Sequence, residues 1–202
     1  MDSPGLIFVI AAASGTGKTT LVRKLLEVNP NIHLSISHTT RTPRAGEIDG
    51  QHYFFTTVSD FEDRIAKREF LEYAKVYDRY YGTSQKWLEE TLAKGWDVLL
   101  EIDVQGAQQV RQKLPQAISI FLLPPNLAEL ETRLTTRNTD SPDNVALRLQ
   151  EAAAEIGQAS DFDYIVINDD INQALSDLNH IIHSAHLTKN QQLPFLQKLL
   201  AK

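Results

Sequence analysis

Uniformly apolar runs alternate along the chain with segments whose apolar positions recur at helical spacing. Residues 6–11 (Leu6-Ile7-Phe8-Val9-Ile10-Ala11) form such a run, as expected of a central parallel strand covered on both faces. Leu21, Val22, Leu25 and Leu26 then predict a helix, which Asn29-Pro30 stops. Residues 33–38 read as a strand, and so do 50–55. Ser59, with Glu62 three residues on, reads as a capping box opening a short helix that carries Phe61 and Ile65. Residues 69–76 and 79–83 predict strands around a turn at Asp78, and 84–94 a helix closed by Gly95. The remainder predicts strands at 96–103, 117–123 and 162–167, alternating with helices at 106–113, from Leu127, from Pro142, and from Ile171 to Ala185. Strands alternating with helices imply an α/β fold with a parallel sheet.

The chemistry is densest between the first strand and the first helix. Ala12-Ala13-Ser14-Gly15-Thr16-Gly17-Lys18-Thr19-Thr20 fits the phosphate loop G-x-x-x-x-G-K-[ST], with Ala12 in place of the first glycine. Gly15 and Gly17 can take positive φ and turn successive N–H groups inward, and the helix that follows favours an anion at its start. Lys18 would reach the β- and γ-phosphates, and the Thr19 hydroxyl would be a ligand for Mg²⁺. Further along, an apolar strand ends in Glu101-Ile102-Asp103, as in proteins that keep an aspartate beside Mg²⁺. Arg133 and Arg137 share one helix face, Arg148 lies along the edge of the next helix, and Asn168-Asp169-Asp170 stands where open α/β sheets place ligands.

Composition narrows the classes. A 202-residue chain can bury one substantial core with inserted lobes, and its formal net charge of −6 argues against a general nucleic-acid or membrane-surface binder. With no cysteine, disulfides, thiolate metal sites and cysteine nucleophiles are excluded, in keeping with a cytoplasmic location. The apolar run at 6–13 is too short to span a bilayer, and residues 1–5 lack the positive start of a signal peptide. His180 and His183 fall on the polar side of their helix and read as solvated rather than as metal ligands.

Taken together, the phosphate loop, Ser37-His38-Thr39-Thr40-Arg41-Thr42-Pro43-Arg44, Gly46-Glu47 with Gly50, Tyr80-Tyr81-Gly82-Thr83, Glu101-Ile102-Asp103 with Gln105-Gly106, Arg133-Leu134, Arg148-Leu149 and Asn168-Asp169-Asp170 resemble guanylate kinase of the bacterial type. The resemblance runs from Leu6 to about Ile182. It implies a P-loop nucleoside monophosphate kinase fold, a five-stranded parallel sheet flanked by helices. One domain spans 1–202, with its core at 1–33, 85–124 and 146–202, a GMP-binding lobe at 34–84 and a lid at 125–145. The implied reaction passes the γ-phosphoryl of ATP to GMP with Mg²⁺, giving ADP and GDP. Residues 12–20 and Asn168 would bind ATP. Arg41, Arg44, Tyr53 and Tyr81 would hold the GMP phosphate, while Ser37, Glu72, Thr83 and Asp103 would read guanine. Lys18, Arg41, Arg133, Arg137 and Arg148 would carry catalysis, with Thr19 on the metal and Asp103 behind it through water.

Ala12 and Ala13 replace the commoner Gly-Pro start of the loop, and Asn138 follows Arg137 where glycine is usual; neither removes a chemical group. Two rival readings are weaker. Asp103-Val104-Gln105-Gly106 spells the D-x-x-G of GTPase switches, but no Asn-Lys-x-Asp guanine reader occurs. A non-enzymatic scaffold module would typically have a degraded phosphate loop, whereas Lys18 and Thr19 are kept. Monomer and homo-oligomer both stay open, and residues 193–200 predict a terminal amphipathic helix that packs on the core or on another subunit.

Overall fold

A computed structural model describes residues 5–76, 78–135 and 142–201. Five parallel strands form the main sheet in the order β2-β7-β1-β8-β9: β1 (Ile7–Ala12), β2 (Ile32–Leu34), β7 (Asp97–Glu101), β8 (Ile118–Leu123) and β9 (Tyr164–Ile167). All six β1 side chains are buried, because alternate residues serve two cores. Ile7, Val9 and Ala11 join the layer that contains Val104, Ala107 and Val110 of α4 (Val104–Lys113). Phe8, Ile10 and Ala12 pack with α1 (Lys18–Val28) and α7 (Ile171–His186) on the other side. Each fully buried Phe, Leu or Ile contributes roughly 1.5–3 kcal/mol, so β1 is fixed from both faces and the phosphate loop leaves a rigid strand end.

A second sheet, in the order β4-β3-β6-β5, is built from β3 (His38–Thr39), β4 (Phe54–Phe55), β5 (Phe70–Val76) and β6 (Arg79–Ser84). The turn between β5 and β6 puts Asp78 at φ 60°, at the place the sequence predicts. Phe61 of α2 (Val58–Ala66) stacks on Phe70 and Tyr80 with ring centroids 4.4 and 5.1 Å apart. Gly82 admits that ring: a Cβ there would lie 2.9 Å from Phe61 Cζ.

Several boundaries depart from the sequence expectations. The strand predicted at 33–38 is divided, with β2 in the main sheet and β3 in the second, because the chain changes sheets at Ser35–Ser37. Only Phe54–Phe55 of the strand predicted at 50–55 pairs as a named strand. Thr57, not Ser59, caps α2 by accepting from the Asp60 N–H, so the helix starts two residues earlier. Asp103 caps α4, which therefore begins at Val104 rather than at Gly106. The terminal helix forms as α8 (Lys189–Leu200) beside α7. Between β6 and β7 lies α3 (Gln85–Leu92); α5 (Leu127–Thr135) follows β8, and α6 (Pro142–Ile156) precedes β9. Among the described residues no helix is long and apolar enough to cross a membrane.

Candidate functional site

Gly15 and Gly17 take φ of 88° and 96°, the left-handed region that turns loop amides inward, while Ala12 has no positive φ. Gly17 also starts α1, which has no side-chain cap and no acidic residue in its first turn. Its leading N–H groups therefore keep their positive character for an anion. Thr16 Oγ1 is buried with no hydrogen-bond partner among the described residues.

Lys18 and Thr19 both reach the end of β7. Lys18 Nζ donates to the Ile102 carbonyl at 2.6 Å, and Thr19 Oγ1 donates to Glu101 Oε1 at 2.6 Å. Burial pushes the Lys18 ammonium below the usual lysine range, while Glu101, Asp103 and Glu155 act in the opposite direction. Asp103 itself accepts from the Gly106 N–H at 2.9 Å. The acid in contact with Thr19 is thus Glu101, two residues before the aspartate that the sequence pattern points to.

Arginines of α5 and α6 rest on the loop from the side. Arg133 donates through Nη1 to the carbonyls of Thr16 (3.2 Å) and Asn168 (3.4 Å), and through Nε to Glu129 (2.8 Å). Asn168 Nδ2 closes the set by donating to the Thr16 carbonyl at 2.8 Å. Arg148 Nη2 donates to Ser14 Oγ at 2.7 Å. Arg137 and Asn138 lie outside the described residues.

In the loop after β3, Arg41 makes a two-pronged contact with Glu47 at 2.7 and 2.9 Å, and its guanidinium lies 5.3 Å from the centre of the Tyr53 ring. Tyr53 meets Tyr81 edge-on with centroids 5.9 Å apart. Burial raises the Tyr53 phenol, and the Glu101 charge adds to that rise. Arg44 joins this group through its backbone N–H, which donates to Glu47 at 2.7 Å, while Arg44 as a whole is exposed. Hydrogen bonds from Arg41 hold the Glu47 carboxyl at about 2, well below the usual range. The pairing of Glu47 with Arg41 is not legible in the sequence, because a charge pair six residues apart in a loop has no periodic signature.

Deeper in the second sheet, Glu72 is 2% exposed and accepts a 2.6 Å hydrogen bond from the buried Thr83 hydroxyl. Burial raises its pKa from 4.5 to about 7; the Asp103 charge also raises it, while the Thr83 hydrogen bond and Lys113 oppose the rise. Its other oxygen faces Gly106, where a Cβ would lie 2.6 Å away. Ser37 stands half-buried at the start of β3, its carbonyl accepting from the Phe54 N–H. His180 and His183 are exposed on α7, and no group of three metal-ligating side chains occurs among the described residues.

The family model described as "Guanylate kinase" matches residues 5–185. The chain is 53% identical over 188 residues to a guanylate kinase of Dechloromonas aromatica (strain RCB), covering 93% of each chain. It is 52% identical over 196 residues to one of Acinetobacter baylyi, covering 97% of this chain and 95% of the relative. The crystal structure of guanylate kinase from Anaplasma phagocytophilum superimposes with a TM-score of 0.79 at 32% identity, covering 94% of this chain and 90% of that one.

Proposed function

We infer that this chain, which belongs to the guanylate kinase family, transfers the γ-phosphoryl of ATP to GMP and releases ADP and GDP. One observation carries the reading. The turn from Glu101 to Gly106 is shared: Thr19 and Lys18 bond to its first two residues, and Glu72 packs on its last. A triphosphate on the loop and a nucleotide whose base rests on Glu72 would therefore border one strand end, which brings donor and acceptor together for direct transfer.

In this reading the amides of residues 12–20 cradle the ATP phosphates, Lys18 neutralises charge on the β- and γ-oxygens, and Asn168 borders the nucleotide. Arg133, Arg137 and Arg148 belong to a lid at 125–145 and the helix after it, and surround the transferring group as the lid closes. Guanidinium groups suit that task, with paired planar donors and a charge that never titrates. The lobe at 34–84 holds the acceptor. Arg41, Arg44, Tyr53 and Tyr81 take its phosphate, while Glu72, Thr83, Ser37 and Asp103 take guanine. Guanine offers a ring N–H and an amino group side by side, which one carboxylate accepts together.

The oxygen donors on Thr19 and Glu101 fit Mg²⁺, a hard cation that binds through one or two protein oxygens and the substrate phosphates. Bound there, it would supply charge neutralisation between the β- and γ-phosphates. A cytoplasmic site of action fits a chain with no cysteine.

A coupled assay of ATP consumption with GMP, IMP, AMP or no acceptor tests the reading. GMP-dependent turnover is expected, with AMP poorer by roughly four orders of magnitude, because its ring nitrogen would point a lone pair at Glu72. ATP consumption independent of GMP, or a preference for AMP, would overturn it.

A further inference from the structure

Arg41 has five N–H donors, and three of them are committed inside the protein. Nη1 donates to the Thr42 carbonyl and to Glu47 Oε2, both at 2.9 Å, and Nη2 donates to Glu47 Oε1 at 2.7 Å. Glu47 thus occupies the end of the guanidinium fork. The donors left are Nε–H and the second Nη2–H, which lie side by side on one edge and match two oxygens of a phosphate. The pair is shielded, with side chains 13% and 17% exposed, and the Tyr53 and Phe55 rings lie 5.3 and 5.8 Å from the guanidinium carbon. The Tyr81 phenol also acts on this guanidinium and helps to hold it charged. Glu47 further fixes its own loop by accepting the Arg44 N–H.

We propose that Glu47 is a positioning residue for the acceptor's phosphate: by holding the end of the Arg41 fork and the Arg44 backbone, it presents the free side edge of Arg41 to the phosphate. The inference rests on the reading of this lobe as the GMP site. Glu47 itself touches no substrate, since a carboxylate facing a phosphate would repel it. Its role is to fix the orientation of a long side chain before binding, which would otherwise lose its rotamer freedom at that moment. The charges also balance: the Arg41–Glu47 pair is neutral, so the net positive charge for the phosphate comes from Arg44, which completes the set only when its loop is fixed.

The test is a double-mutant cycle on kcat/KM for GMP, measured at subsaturating GMP with Glu47→Ala, Arg41→Ala and the pair. Glu47→Ala should lower kcat/KM at least about tenfold, through KM rather than kcat, and leave the KM for ATP within about twofold. In the Arg41→Ala background the same change should cost less than about threefold, because the group it positions is gone. Inhibition by guanosine, which lacks the phosphate, should be unchanged in Glu47→Ala, and melting curves check that each variant is folded. The proposal is overturned by a Glu47→Ala enzyme within twofold of wild type, by additive losses in the double variant, or by guanosine weakening in step with GMP. A wild-type enzyme without GMP-dependent turnover would instead sink the functional reading itself.

Discussion

Glu72 and Gly106 touch across 34 residues of sequence, so closely that a single methyl group on Gly106 would stand 2.6 Å from Glu72 Oε2. Glycine in the first turn of α4 normally costs a helix up to about 1 kcal/mol relative to alanine. Here it makes room for a buried carboxylate. Gly106→Ala should therefore forfeit the usual helix gain and displace Glu72, lowering kcat/KM for GMP by about tenfold or more with little change in KM for ATP. A variant that melts higher than wild type with unchanged GMP kinetics would refute the contact.

The raised Glu72 carboxyl also sets a pH dependence. In the proposed role of Glu72 guanine donates to the ionised form, so GMP binding should strengthen as pH rises through about 7, and kcat/KM should fall up to about tenfold per unit below it. Because the GMP phosphate titrates nearby, the informative profile is the ratio of wild type to Glu72→Gln, which isolates the carboxyl. A flat ratio between pH 6 and 8 would place the titration elsewhere.

The same carboxyl is a stability term of opposite sense. A folded pKa of about 7 against 4.5 means that the native state holds its proton more tightly, so stability falls as pH rises from about 4.5 to 7. The difference of 2.5 units corresponds to about 3 kcal/mol. Glu72→Gln should thus be more stable than wild type by up to that amount at pH 8, with the gap closing near pH 4. Urea denaturation at the two pH values reads this directly.

Lys18 separates folding from chemistry in the same way. Its ammonium is buried against the Ile102 carbonyl and destabilised by that burial, so a Lys18→Met side chain of similar length removes a desolvation cost and one hydrogen bond together. Melting temperature should move by only a few degrees, while turnover falls by roughly a thousandfold or more. Near-normal turnover would mean that this loop is not the catalytic phosphate site.

What could be read from the sequence follows from range. The phosphate loop is local: a buried strand, two glycines and a helix start lie within 12 residues, each with its own signature, and Gly15 and Gly17 take the predicted φ. The alternation of strands and helices likewise carried the parallel sheet. Range also explains the misses. Within residues 33–38 Leu34 and Ile36 alternate with polar residues across the change of sheet, and periodicity does not mark where a chain leaves one sheet for another. Ser59-Glu62 reads as a capping box on paper, but it is the Thr57 side chain, two residues earlier, that accepts the Asp60 N–H. Glu47 and Glu101 could be located but not interpreted, since their meaning lies in Arg41 and in Thr19, the latter 82 residues away.

The end of β7 offers two acids, and the structure distinguishes them by what each already binds. Asp103 accepts the Gly106 N–H as a helix cap, whereas Glu101 meets the hydroxyl of Thr19. If Glu101 is the acid beside Mg²⁺, Glu101→Gln should raise the Mg²⁺ concentration for half-maximal rate by roughly tenfold or more, since a metal site loses affinity to that degree when a supporting carboxylate is removed. Asp103→Asn keeps a good cap, because asparagine serves that position as well as aspartate, so the fold should hold. It should leave the Mg²⁺ requirement within about twofold and act instead on GMP, by removing a charge from the base pocket and with it part of the rise in the Glu72 pKa. Mg²⁺ titrations at fixed ATP and GMP for the two variants decide the matter. A large Mg²⁺ shift in Asp103→Asn with none in Glu101→Gln would return the role to Asp103.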